Sequence, residues 1–209
     1  MERDFNILSY GDASYDAAGA YIPTLHIWFE LVWEEVLPPH LLGKHLPHIN
    51  ALEFVAVLVQ FAAIVTFWQQ ASSEHLAQLF PDGVPPQPLI RSMCDNMVVE
   101  AWVKKGSATS SVLNLLKLYA VLTESFSTLF QLSTDRISSS DNVVADDISR
   151  PPKGLTHSQR YQRLCQKHPF LKHYKCFHPM LQALFSALSS SPSTAPVRLL
   201  ANMGLLLPG

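Results

Sequence analysis

A chain of 209 residues and 23.3 kDa is long enough to bury a sizeable core and suits one domain with an appendage better than two full domains. With 48% hydrophobic and 15% charged residues it is too apolar for a disordered chain and too often interrupted by polar residues for a multi-span membrane protein. Three cysteines behind no cationic-apolar-small leader argue against a disulfide-stapled secreted scaffold and lead us to expect a reducing intracellular compartment, cytoplasm or nucleus.

The net charge of −2 is divided along the chain. Residues 1–147 carry seven Lys/Arg against seventeen Asp/Glu, a balance of −10, whereas residues 148–209 carry eight Lys/Arg and no acid. The two stretches are expected to attract each other or to face different partners.

In chain order, Phe5 to Tyr10 is a β-like run ending at the Gly11-Asp12 turn, and Ala18 to Ile22 is a return strand stopped by Pro23. Ile27 to Val32 is a third apolar run, and Pro38-Pro39 and Pro47 mark a loop before Asn50 opens a long helix. Leu52 to Trp68 is apolar apart from Glu53, Gln60 and Thr66. About 20 uninterrupted apolar residues are needed to span hydrocarbon, so this run reads as a buried core helix and no membrane contact is expected. Prolines 81, 85, 86 and 88 fill a loop, and Leu89 to Cys94 is a strand running into Asp95. Met97 to Val103 is a short helix ended at Gly106, and Ser111 to Glu124 is a helix with Leu115, Leu118, Val121 and Leu122 on one face. Leu129 to Ser133 is a further strand, Asn142 to Arg150 starts a helix, and Pro151-Pro152 closes the unit. The order predicts an α/β layer fold, a mixed five-stranded sheet with an antiparallel front, a parallel back and helices on both faces. Residues 1–150 form this domain; residues 151–209 form a basic, partly helical tail with a Ser/Pro-rich stretch at Ser189 to Pro196.

Four carboxylates fall at element ends. Each has a structural explanation: Asp12 in a turn, Glu53 as the third-position partner of a capping Asn50, Asp95 as a cap of the helix at Met97, Asp146 as a first-turn acid. In the predicted sheet, however, all four converge on one spot. Carboxylates crowded together repel unless a cation neutralises them, and hard oxygen ligands select magnesium or manganese. Two such ions roughly 4 Å apart hydrolyse phosphodiesters in line, one activating water and the other steadying the leaving oxygen.

Five short blocks then follow one another: Asp12-Ala13-Ser14 with Gly19-Ala20, His48 to Glu53, Arg91 to Asn96, Lys105-Gly106-Ser107, and Asn142 to Arg150. In this order they resemble the ribonuclease H domain of retroelement reverse transcriptases, with the nearest likeness to DIRS-type elements. The resemblance implies an RNase H-like fold. It also implies an endonuclease in which Asp12, Glu53, Asp95 and Asp146 hold two Mg2+ (or Mn2+) ions and cut the RNA strand of an RNA:DNA hybrid. Asn96 resembles the family's hybrid-contacting position, with a helix N-cap as its alternative. The chain departs from the family near Ala17, where a glycine is usual, and at Arg136-Ile137-Ser138-Ser139, where a His-Ile-Pro-Gly-like turn is usual. Besides the hybrid, the partner implied is a reverse-transcriptase polymerase domain encoded elsewhere. The alternative is a decayed or recruited module that binds nucleic acid or protein without cleavage.

In the tail, Lys153, Arg160, Arg163, Lys167, Lys172 and Lys175, interleaved with Tyr161, Tyr174 and Phe177, suit a nucleic-acid backbone, with charges on phosphates and rings on bases. They equally suit a basic helix neutralising the acidic part. Cys165, His168, His173 and Cys176 have a zinc-like spacing, but the helical spacing of Tyr161, Leu164, Phe170, Tyr174 and Phe177 favours packing on the main domain.

Overall fold

The computed structural model describes residues 6–36, 48–107 and 113–177, residues 113–115 by their backbone alone. The expected loop at Pro38-Pro39 and Pro47, the Ser/Pro-rich stretch 189–196, and the positions Phe5, Ser111 and the Leu115 side chain lie outside the described residues.

The first three strands, β1 (Ile7–Ala13), β2 (Ala17–Ile22) and β3 (Ile27–Val32), form an antiparallel meander. Its first turn is closed by Ser14, whose Oγ accepts from the Asp16 and Ala17 amides. The second turn is a 3-10 turn at Pro23–Leu25, and His26 follows it at φ 50. A short α1 (Trp33–Val36) follows β3 and was not foreseen from the sequence. Its Trp33 indole donates to the Ser14 carbonyl at 2.8 Å, which ties it to the first turn.

The apolar run is α2 (Ile49–Gln70), and sixteen of its residues are buried, so it is a core helix although it is long and apolar enough to cross a membrane by length and composition. The polar break at Gln60 has a physical reason. Its Oε1 accepts from Ser9 Oγ at 2.6 Å and Ser92 Oγ at 3.1 Å, which binds the helix to β1 and to the fourth strand. Gly11 leaves the room, because a Cβ there would collide with the Gln60 amide.

Next come α3 (Ser73–Leu79), β4 (Leu89–Cys94), α4 (Met97–Lys105), α5 (Leu113–Ser125), β5 (Gln131–Arg136) and α6 (Val143–Ser149). Helix α3 was not expected: none of its residues is fully buried, and its start is fixed locally by Ser72 capping His75. On α5, Leu118 and Leu122 of the predicted face are buried and Val121 is half-buried. The strand expected at 129–133 begins two residues later. Phe130 instead packs edge to face with Phe61 and Trp68, which holds the chain in a turn until Gln131.

After Pro151-Pro152 the chain forms α7 (His157–Lys167), opened by a Thr156/Gln159 capping box, a 3-10 turn (Pro169–His173) and β6 (Lys175–Cys176). The strand order is β5-β4-β1-β2-β3-β6, with β4 parallel to β1, β5 parallel to β4 and β6 parallel to β3. The sheet therefore has six strands rather than the five expected. The sixth comes from the basic stretch and is only two residues long, too short to show as a period in the sequence. Ser9, facing α2, and Asp12, facing α6, differ in parity along β1, so helices cover both faces. On the α6 face a second cluster joins Trp28, Ile148, Leu164, Cys165 and Leu171, with Tyr161 stacked on Trp28 at 5.7 Å.

Candidate metal centre

The α/β topology places the C-terminal ends of parallel β1 and β4 side by side. Asp12 is the sixth residue of β1, opposite Gly19 of β2, and Asp95 follows directly on β4. Glu53 comes from the second turn of α2. One oxygen from each of Asp12, Glu53 and Asp95 lies within 4.8 Å of the others. Three of the four acids singled out from the sequence are thus brought together.

The structural alternatives for Glu53 and Asp95 are corrected by the helix starts. His48, not Asn50, is the N-cap of α2, and Asn50 Oδ1 accepts from Asn96 Nδ2 at 3.0 Å, so no Asn50/Glu53 capping box forms. Glu53 is 5% exposed and takes the Ala13 amide, while its Oε2 is buried with no hydrogen-bond partner. The cap of α4 is Asn96, which accepts from the Val98 and Val99 amides. Asp95 is free of that duty and accepts from Ser139 Oγ at 2.8 Å, so the Ser138-Ser139 turn after β5 serves the cluster.

Asp12 is held by α6. Ser149 Oγ donates to Asp12, and Ser14 Oγ donates to the Ser149 carbonyl at 2.6 Å. Asn142 Nδ2 donates to the Gly11 carbonyl at the other end of the helix. This approach needs Gly19, where a Cβ would lie 2.6 Å from Ile148 Cβ and from the Ser149 amide nitrogen. Asp146 is on the same helix, close enough to repel Asp12, but its Oδ1 accepts from Arg150 Nε at 2.6 Å and it is not in the three-acid group. Asp147 is turned away: its carboxylate binds Lys167 and His168, both at 2.6 Å.

The electrostatics follow from burial and crowding. Burial, reinforced by Asp12 and Asp95, pushes the Glu53 carboxyl up to about 9, against the Ala13 amide and Arg150, which pull it down. Burial pushes Asp12 up to about 6, with repulsion from Asp95 and Asp146 adding to it and the Ser149 hydroxyl opposing. Without a cation the site therefore keeps a proton at neutral pH. An orphaned, buried carboxylate oxygen among hard oxygen donors is an arrangement that could hold a metal ion.

The basic residues fare differently. Arg160 is buried, its Nε 2.7 Å from Glu30 Oε2 and its Nη2 3.2 Å from Glu35 Oε1, so it is a structural pair and its guanidinium does not reach the surface to meet a phosphate. Lys167 pairs with Asp147, and Lys153 lies 3.4 Å from Asp16. Arg163 is exposed on α7, and Lys172 and Lys175 are exposed at the chain's later turn and β6. Of the zinc-like set, His168 is on Asp147, Cys165 is in the Trp28 cluster, and Cys176 Sγ is 3.8 Å from His157 Nε2. A cavity of about 490 Å3 lies beside Tyr15, Trp33, Glu34 and Lys153, apart from the three acids. Sequence reasoning assigned no role to Ser149 or Arg150, although the four-residue step from Asp146 to Arg150 is the helical spacing at which ion pairs form. No family model, no curated protein and no solved structure matches this chain.

Proposed function

We propose that the chain is a metal-dependent endonuclease of RNase H type that hydrolyses the RNA strand of RNA:DNA hybrids. The observation that carries the proposal is the group of Asp12, Glu53 and Asp95 around a buried, unpartnered Glu53 oxygen. It sits at the ends of parallel strands in a sheet with an antiparallel front, the setting in which the motif order has its meaning. Asp12, Glu53 and Asp95 would hold one divalent cation, and Asp12 with Asp146 a second. The cations would supply water activation and charge stabilisation at the leaving oxygen. The chain's own part is to orient Asp12 through Ser149, to hold Asp95 through Ser139, and to keep Glu53 dry. Arg163, Lys172 and Lys175 supply cations for the duplex backbone.

The test is incubation of the purified chain with a labelled RNA:DNA hybrid with and without Mg2+. Cleavage of RNA in the hybrid, with double-stranded DNA and single-stranded RNA spared, is the expected result. Asp95→Asn should lower the rate by about two orders of magnitude or more. Equal cutting of all three substrates overturns the proposal. A second reading, a module that binds without cleaving, is favoured by one observation: Asp146 is paired with Arg150 rather than gathered with the other acids. Metal-independent hybrid binding without cleavage would select it.

A further inference from the structure

Resting on the metal-site reading above, we infer that Arg150 is a resident counter-ion of the acidic centre, holding Asp146 in place of the second divalent cation until that cation displaces it. The argument begins with position. Asp146 and Arg150 are one helical turn apart at the end of α6, and Arg150 Nε lies 2.6 Å from Asp146 Oδ1. The guanidinium's charge also reaches Asp12, Glu53 and Asp95, so among the described residues it is a cation that faces all four acids. Lys167 on α7 is turned onto Asp147 instead. The Asp146–Arg150 pair is also open to solvent, with side-chain exposures of 43% and 61%. An exposed ion pair is worth little and is readily exchanged for a divalent ion, whereas Glu53 is buried and has no cation of its own. The neighbouring residue fixes the hinge of this exchange. Ser149 is locked between Asp12 and the Ser14 hydroxyl, so displacement needs only a rotation of the Arg150 side chain and no movement of α6. The chain thereby keeps one site ready for a first cation and a second site closed by its own arginine. Cleavage would then depend on the second cation more steeply than on the first.

The experiment uses the full chain and the metal alone. Mn2+ binding is followed by the electron paramagnetic resonance of the free ion for the wild type, Arg150→Gln, Arg150→Lys and Asp146→Asn, each checked by circular dichroism. The wild type should bind a first ion tightly and a second weakly. Arg150→Gln should tighten the second about tenfold and the first by clearly less, Arg150→Lys should remain close to wild type, and Asp146→Asn should lose the second site. In the wild type itself, the larger part of the Arg150 Nε–H shift during a Mg2+ titration should come as the second equivalent binds, a readout that holds even if Arg150→Gln does not fold. An unchanged second affinity in folded Arg150→Gln, or an Arg150 resonance whose shift is complete with the first equivalent, overturns the counter-ion role while leaving the metal site standing. A wild-type chain that binds no Mn2+ at all overturns the metal site and the counter-ion together.

Discussion

Replacing Glu53 by glutamine separates a metal ligand from a structural carboxylate. In metal-free buffer the Glu53 carboxyl is raised from 4.5 to about 9, mainly by burial. A carboxyl whose folded value lies above its unfolded value contributes stability that is fully present below about pH 4.5 and is lost progressively as pH rises toward 9, because the folded state must keep a proton that the unfolded state gives up. Between pH 4.5 and 7 the interval of 2.5 units corresponds to about 3 kcal/mol at 1.36 kcal/mol per unit, and water reaching the neighbouring, half-buried Asp95 reduces this to about 1–3 kcal/mol. Glutamine carries no charge and fills the same volume, so Glu53→Gln in EDTA at pH 7.5 should raise the melting temperature by about 2–12 °C, taking about 2–4 °C per kcal/mol for a chain of this size. The gain should vanish near pH 4. Added Mg2+ should raise the melting temperature of the wild type and not of the variant, and cleavage by the variant should collapse. Melting followed by circular dichroism from pH 4 to 8.5, with EDTA and with Mg2+, is the assay. A variant less stable than wild type in EDTA at pH 7.5, or one with the wild-type slope against pH, would refute the reasoning.

Gly19→Ala places a Cβ 2.6 Å from Ile148 Cβ and the Ser149 amide nitrogen, which should push α6 off β2 at about 1–3 kcal/mol, seen in urea unfolding, and weaken Mg2+ binding through the lost Ser149 hold on Asp12. Arg160→Ala leaves Glu30 buried without its cation and should cost about 3–5 kcal/mol, while Arg160→Met should recover part of the loss; equal stability of Arg160→Ala and wild type would show that the pair is not buried in solution. Arg163→Ala should weaken hybrid binding and flatten its log-log salt dependence by about one unit without changing the melting temperature, as measured by fluorescence anisotropy at several salt concentrations.

Much of the architecture was legible because each element carries a local signal. Alternation and turn residues mark β1 to β4, and an apolar run interrupted once marks α2. Other elements were not legible, because their signals are tertiary. Lys175–Cys176 is a strand only because β3 offers an unpaired edge, and α3 carries a Ser cap but no buried stripe. The turn before β5 is held by Phe130 packing on Phe61 and Trp68, which no local pattern announces.

The sequence by itself determined where the acids fall and in what order they occur, since spacing along strands and helices places Asp12, Glu53 and Asp95 at element ends whatever the details of packing. Only the tertiary structure decided their state. Glu53 is a buried carboxyl and not a cap, because His48 starts the helix one residue before Ile49, and burial, with Asp12 and Asp95 beside it, raises its pKa. Asp146 stands outside the group because the end of α6 brings Arg150 to it first. The charge division along the chain was visible in composition, but its use was not. Arg160 is spent on Glu30 and Glu35, Lys167 on Asp147 and Lys153 on Asp16, since a cation that folds against an acidic surface is captured by the nearest carboxylate, and proximity in the fold is set by distant residues such as Trp28 and Leu164 that bring α7 onto β3.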